Sequence, residues 1–253
     1  MDPDAHRQLR EEARALILPE DWDGRWVAAL PGDACDLIVD VAAPMCLALA
    51  AEVTGLPLAE AAPLAAVARG LFHAEADLQA AALAALELMS RFQNALHVQA
   101  FAALCHTLPA FLGNAWLALL EHPGEMSRLA TNPDLLPGAI EELLRFAGPS
   151  FAVYRPTSDG GRAMIRLADA NRDPDVFPDP HRLRLDRRPT GHVAFGAGPH
   201  ACAGAALIRA AARPAIAHFA ERFSGRRVTF HAVPDKGVTL RSLRSLRIAP
   251  MLP

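Results

Sequence analysis

Residues 195–204 read FGAGPHACAG, and an alanine-rich run from Ala203 to Phe219 follows at once. Gly196 and Gly198 allow backbone conformations that a side chain would forbid. The segment therefore predicts a bent loop that delivers the thiol of Cys202 to the first turn of a helix. At a helix start, the backbone N–H groups and the macrodipole favour a thiolate over a thiol.

A thiolate held on a rigid loop is what a haem iron needs as its proximal ligand. Gly204 has no side chain, so a flat group can lie close to the helix there. The segment resembles the haem-binding signature of the cytochrome P450 family, the haem-thiolate monooxygenases. The positions that match are Phe195, Gly196, Gly198, His200, Cys202 and Gly204. The resemblance implies a haem b cofactor with Cys202 as its axial iron ligand, and with Phe195, Gly196, His200 and Gly204 around the cofactor.

Composition limits the class of protein. The 253 residues carry 25 Lys and Arg against 28 Asp and Glu, which gives a net charge of −3. This balance does not indicate a nucleic acid or an anionic membrane surface as a partner. Four widely spaced cysteines in apolar or motif contexts do not form a disulfide framework, so a cytoplasmic location is expected. No repeat or linker divides the chain, and a single haem-binding domain over 1–253 is expected.

The first residues supply a second part of the resemblance. Residues 2–10 read DPDAHRQLR, and an early proline with nearby acids predicts a helix start. His6 and Arg10 are four residues apart and therefore share a face, which by itself is typical of a solvated surface. In the family, a similar stretch begins the helix whose His and Arg hold a haem propionate. The resemblance assigns that role to His6 and Arg10, and also to Arg155, which falls at a propionate-binding position of the family.

A long apolar helix is predicted over 94–121. No Asp, Glu, Lys or Arg occurs between Asn94 and Leu120, which is enough length to span a bilayer. Six polar or helix-disturbing residues interrupt it, so a central buried helix is favoured and no membrane span is expected. Pro109 has no N–H to give to the Cys105 carbonyl, which predicts a bend at that turn.

The end of this helix, GNAWLALLEHP at 113–123, resembles the central helix of the P450 family. The resemblance aligns residues 103–107, ALCHT, with the family's Ala-Gly-x-acid-Thr segment, where an acid and a hydroxyl deliver protons during oxygen activation. Thr107 matches, whereas His106 replaces the acid and Leu104 replaces the glycine. Three interpretations of His106 stay open: a proton shuttle, a distal iron ligand, or a core histidine bonded to a carbonyl.

The remaining pattern predicts a mainly α fold with a small β component, which the resemblance interprets as a reduced P450-like fold that lacks the N-terminal part and some distal helices. Apolar helices are predicted over 33–56, over 59–92 with a break near 73–75, and over 135–146. Strands are predicted within 148–170 and 228–253. Glu142 and Arg145 match the family's Glu-x-x-Arg pair, and Arg182 is assigned as its third member.

Three functions follow from the resemblance. The first is a monooxygenase-type oxidoreductase that acts on a small organic substrate with electrons from a ferredoxin-type donor. The second is a haem-thiolate enzyme that does not reduce dioxygen and instead uses peroxide or catalyses a dehydration, isomerisation or cyclisation. The third is a non-catalytic haem protein. Because elements that cover the substrate in the family are missing, exposed apolar surface is expected, and with it a homodimer or a complex with another protein.

Overall fold

The computed structural model describes residues 7–8, 11–12, 34–72, 78–92, 95–188, 190–235, 237 and 240–251. Helices make up most of this part of the chain and two small antiparallel sheets complete it, so the predicted fold class is confirmed. Residues 7–8 and 11–12 are helical. His6 and Arg10 lie outside the described residues, as does the break predicted near 73–75.

The longer helices follow the apolar segments of the sequence, whereas α6 and α8 lie on more polar ones. They are α1 (Ala43–Thr54), α2 (Leu58–Phe72), α3 (Leu78–Arg91), α4 (Ala95–Ala102), α5 (Leu108–Glu121), α6 (Pro123–Thr131), α7 (Leu136–Ala147), α8 (Leu167–Ala170) and α9 (Ala205–Phe223). A π-helical turn over Leu37–Ala42 precedes α1, and another over Ala103–Thr107 joins α4 to α5. Helix α1 ends at Gly55, whose φ of 69° needs a residue without a Cβ.

The strands form two sheets. Strands β1 (Cys35–Asp36), β4 (Val228–Pro234) and β5 (Leu243–Pro250) pair in the order β1-β5-β4, and β2 (Val153–Pro156) pairs with β3 (Arg162–Ile165) as a hairpin. The helix predicted from residue 33 therefore begins too early. Asp36 accepts the N–H of Leu246 from β5 as well as the N–H groups of Ile38 and Val39, so one carboxylate ends the strand and caps the helix.

The central helix runs through the core. Helix α4, the π turn and α5 form one helical run from Ala95 to Glu121. In its most apolar stretch of 18 residues, 72% is buried. Trp116 on α5 stacks on Phe219 of α9 at 5.4 Å between ring centroids, and both side chains are fully buried. The segment Leu37–Thr54 is also long and apolar enough to cross a membrane, and 50% of it is buried. Burial of this kind fits the core helix of a folded domain.

A buried ion pair on α7 bonds to the segment that precedes the cysteine loop, residues 195–204. Arg145 donates to both carboxylate oxygens of Glu142, at 2.7 and 2.9 Å, and both side chains are fully buried. The third member is Arg187, whose Nε lies 3.2 Å from Glu142 Oε1. The assignment of Arg182 is wrong, because Arg182 is exposed and contributes its backbone carbonyl to Arg187 at 3.5 Å.

Candidate active site

The cysteine loop joins the core to the start of α9. Cys202 lies between a 3₁₀ turn at Gly198–His200 and Gly204, the residue that caps α9. Its backbone N–H donates to the carbonyl of Phe195 at 2.8 Å, which closes the loop on itself. Gly196 and Gly198 have φ angles of 69° and 73°, so the backbone bends as predicted at positions that disfavour any side chain.

Space is open around the thiol. The side chains of Cys202 and His200 are exposed. A Cβ placed on Gly204 would meet Cys202 Sγ at 3.9 Å and no other heavy atom within 4 Å, and one placed on Gly196 or Gly198 would meet none. The loop therefore presents a sulfur atom and bare backbone on the same surface.

Cys202 differs from the other three cysteines in its surroundings. Burial raises the pKa of Cys105 to about 12 and raises the pKa values of Cys46 and Cys35, so their thiolates are disfavoured. Cys202 is exposed and lies close enough to Arg209 to interact with it electrostatically. The pKa of Arg209 is raised, first by its hydrogen bond to Glu141 and to a smaller extent by the Cys202 charge.

A polar cluster at the base of the loop was not anticipated from the sequence. Glu141 on α7 accepts hydrogen bonds from Arg209 on α9 and from His192 just before the loop. Arg209 also lies over the ring of Phe195, 4.7 Å from its centroid. The sequence could have indicated part of this, because Arg209 lies one turn after Ala205, the first residue of α9, where a long side chain can reach back toward the loop.

The predicted bend in the central helix takes the form of a π turn. The N–H of Leu108 bonds to the carbonyl of Ala103, five residues back. Thr107 Oγ1 donates to the same carbonyl at 2.6 Å, and Pro109 follows with no N–H to restore the α pattern. Single π turns within α-helices occur frequently at functional sites.

His106 lies in the same turn and is bonded to a neighbouring helix. Its Nε2 is 2.9 Å from the carbonyl oxygen of Ala65 on α2, so this nitrogen carries the proton and donates it. The contact is the one expected of a core histidine. Leu104, which replaces the family's glycine, is fully buried.

A cavity of about 610 Å³ adjoins the π turn. It lies between the central helix, α1, α2 and the segment that precedes β5. Its lining is mostly aliphatic, and the ion pair between Arg69 and Asp235, at 3.6 Å, adds charge. Cys105 and His106 line it, whereas Thr107 and Cys202 are not among the described residues that do.

The predicted site residues that the structure describes lie in three places: on β2, in the cysteine loop and in the π turn. Arg155 is exposed on β2 and its Nη1 donates to the carbonyl of the adjacent Tyr154 at 3.2 Å. Phe195, Gly196, His200, Cys202 and Gly204 are brought together by the loop, and His106 and Thr107 by the π turn.

The sequence is similar to part of several characterised proteins. No family model matches the chain. The chain is 39% identical over 156 residues to cytochrome P450 107B1 of Saccharopolyspora erythraea, over 55% of this chain and 38% of that protein. It is 44% identical over 124 residues to vitamin D(3) 25-hydroxylase of Pseudonocardia autotrophica, over 44% of this chain and 31% of that protein. The chain thus spans between three and four tenths of the length of these relatives.

Solved structures match over nearly the whole chain. P450BioI in complex with an acyl carrier protein ligated to hexadec-9Z-enoic acid has a TM-score of 0.85 at 22% identity, over 99% of this chain and 81% of that chain. The LnmA cytochrome P450 hydroxylase of Streptomyces atroolivaceus has a TM-score of 0.78 at 26% identity, over 98% and 80%.

Proposed function

Because the chain belongs to the cytochrome P450 family, we propose that it is a haem-thiolate oxidoreductase of the monooxygenase type that acts on a small organic substrate. In this proposal Cys202 is the axial ligand of the haem iron. The haem, when bound, supplies the redox chemistry that oxidises the substrate. The chain's own residues bind and orient the cofactor and the substrate and hold protons.

The observation that carries the proposal is the open thiol of the cysteine loop. An exposed Cys202 Sγ, a glycine cap at Gly204 with open space beside it, and the nearby Arg209 cation fit a flat, thiolate-ligated group. The buried cysteines have raised pKa values and fit it less well. These features support a thiolate-ligated haem at the loop, and we propose that it is haem b.

Side chains for the haem propionates form the second part of the proposal. Arg155 and His200 are exposed, so their side chains are accessible to a carboxylate. His6 and Arg10 remain predictions from the sequence. All four are assigned to propionate binding.

Thr107 is the residue that we assign to proton handling. Its hydroxyl donates its single proton to the Ala103 carbonyl. The two lone pairs of the oxygen therefore remain available to accept hydrogen bonds. In this orientation Thr107 holds a proton donor, such as a water molecule, at the π turn. To donate a proton itself, the hydroxyl has to rotate away from Ala103.

We assign the substrate to the cavity beside the π turn. Its volume of about 610 Å³ lies within the range of small-molecule pockets, and its aliphatic lining selects a mostly apolar compound. Ser242 and the Arg69–Asp235 pair are among the polar groups of the lining and would orient it.

One observation favours the second candidate, a haem-thiolate enzyme that does not reduce dioxygen. His106 replaces the family's acid and uses Nε2 to hold the Ala65 carbonyl, so it lacks a free donor at that atom. Peroxide brings its own protons and electrons, and a dehydration, isomerisation or cyclisation needs no external electrons. Either chemistry depends less on an acid at position 106.

The wider assignments remain proposals as well. We propose one haem-binding domain over 1–253, a ferredoxin-type electron donor for the monooxygenase reaction, a cytoplasmic location, and a homodimer or protein complex. The second candidate would not need the electron donor.

The test is the absorption spectrum of the purified protein, first ferric and then reduced under carbon monoxide. A carbon monoxide band strongly red-shifted from that of histidine-ligated haem is expected for the wild type and for the Cys35→Ser control. Cys202→Ser should lose this band. A wild-type protein that binds no haem, or a Cys202→Ser variant that keeps the band, would overturn the proposal. Turnover with a ferredoxin and its reductase, compared with turnover with hydrogen peroxide, separates the two candidates.

A further inference from the structure

The carboxylate of Glu141 forms hydrogen bonds with one residue before the cysteine loop and one residue after it. Glu141 Oε1 accepts from Arg209 Nε at 2.7 Å and Glu141 Oε2 accepts from Arg209 Nη2 at 2.8 Å. Oε2 also accepts from His192 Nε2 at 3.0 Å. His192 precedes the loop, whereas Arg209 follows it on α9.

The contacts continue from these two side chains to the backbone around the thiol. His192 Nδ1 accepts the N–H of Ala194 at 3.2 Å. The Arg209 guanidinium covers the ring of Phe195, and the Phe195 carbonyl accepts the N–H of Cys202. These contacts connect Arg209 and His192 to the backbone of the residue that carries the sulfur.

The cluster is stronger than an ordinary surface ion pair. Arg209 and Glu141 keep 36% and 29% of their side chains exposed, and a single pair at such exposure contributes little stability. Here the arginine fork is bidentate, the same carboxylate binds His192, which is 95% buried, and the guanidinium stacks on an aromatic ring. Burial raises the pKa of Glu141, but the bonds from His192 and Arg209 outweigh it and bring it to about 2. The carboxylate is therefore charged at neutral pH.

We propose that Glu141, Arg209 and His192 form a clamp that closes the base of the cysteine loop and positions Cys202 to ligate the iron. They are positioning residues, since they act on Cys202 through Phe195 and Ala194. The inference rests on the proposed function for the identity of the cofactor, whereas the geometry of the loop stands independently of it.

The test compares Glu141→Gln and Arg209→Lys with two matched controls. Glu121→Gln and Arg213→Lys change the same residue types at exposed positions, the second on α9 itself. In the haem-loaded protein, both clamp variants should lose the red-shifted carbon monoxide band about tenfold faster than the wild type, the scale of losing a charge-assisted hydrogen bond. In the protein without haem, amide hydrogen exchange of residues 193–202 should accelerate by a similar factor. The controls should match the wild type in both measurements.

A double variant tests whether the residues act together. If Glu141 acts through Arg209, Glu141→Gln with Arg209→Lys loses no more than the more severe single variant does. Additive losses, or clamp variants that match the controls in both measurements, would overturn the proposal. If Glu141→Gln does not fold, as judged by circular dichroism, the same two measurements on Arg209→Lys and His192→Gln test the proposal. If the wild type binds no haem, the proposed function fails, and hydrogen exchange still tests the clamp.

Discussion

At the scale of single residues, Glu142 shows how strongly a buried carboxylate depends on its hydrogen-bond partners. It is a fully buried carboxylate that takes hydrogen bonds from two arginine side chains and from the backbone N–H of Arg184. A buried charge that loses one partner costs far more than an exposed pair contributes. Arg187 also donates to the carbonyls of Pro178 and Asp179, so it joins Glu142 to the segment before the cysteine loop.

Replacing Arg187 should therefore destabilise the whole domain. We expect Arg187→Ala to lower the free energy of unfolding by about 2 to 4 kcal/mol, because it leaves Glu142 and two carbonyls short of donors. Arg182→Ala removes the exposed arginine and should change that free energy by less than about 0.5 kcal/mol. Urea unfolding of both variants measures the difference. Equal losses would contradict the assignment of Arg187 as the third member.

The neighbouring Glu141 predicts a dependence of stability on pH. Its folded-state pKa of about 2 is depressed from the usual 4.5, so its contribution is fully present above about pH 4.5 and is lost as the pH falls toward 2. The wild type should exceed Glu141→Gln in free energy of unfolding at pH 6, and this difference should shrink steadily below pH 4.5. A difference that stays constant down to pH 2.5 in urea titrations would show that the charge of Glu141 does not stabilise the fold.

At the scale of elements, the hydrogen bond from His106 to Ala65 joins the π turn to α2. His106→Leu removes the hydrogen bond that joins the π turn to the Ala65 carbonyl, so amide hydrogen exchange across Leu58–Phe72 should accelerate by about tenfold. His106→Gln places an amide N–H near the position of Nε2 and should restore most of the protection. The ferric spectrum of the haem-loaded protein should be the same in all three proteins. Loss of a nitrogen ligand from that spectrum in His106→Leu would favour the distal-ligand interpretation instead.

The elements also show how far sequence patterns determine the fold and the site. Apolar runs and helix stop signals located the longer helices but not α6 or α8, and the FGAGPHACAG motif located the thiol, because both signals depend on local backbone preferences. The strand at Cys35–Asp36 was missed because its pairing with Arg247 and Ile248 lies more than 200 residues away. Arg187 was missed for a related reason: several arginines follow residue 180, and only packing selects which of them reaches Glu142.

At the scale of the whole molecule, α3 presents an exposed apolar face. Leu83, Leu86 and Met89 recur every three residues and are 61%, 65% and 57% exposed, whereas Ala81, Ala84 and Leu88 on the same helix are buried. Residues at this spacing form one continuous stripe on a helix. Such a surface agrees with the exposed apolar surface expected from the sequence, and it is the candidate interface for the proposed homodimer.

The stripe gives a direct test of assembly. We expect the wild type to sediment as a dimer at micromolar concentration, and Leu86→Glu to sediment as a monomer. A charge in the centre of a symmetric helix contact is introduced twice, and each leucine removed loses about 1.5 to 3 kcal/mol of burial, so the dissociation constant should rise at least about 100-fold. Val176→Glu changes a similarly exposed apolar residue away from α3 and should leave the dimer intact. A monomeric wild type contradicts the dimer, and a dimer that survives Leu86→Glu places the contact on another surface.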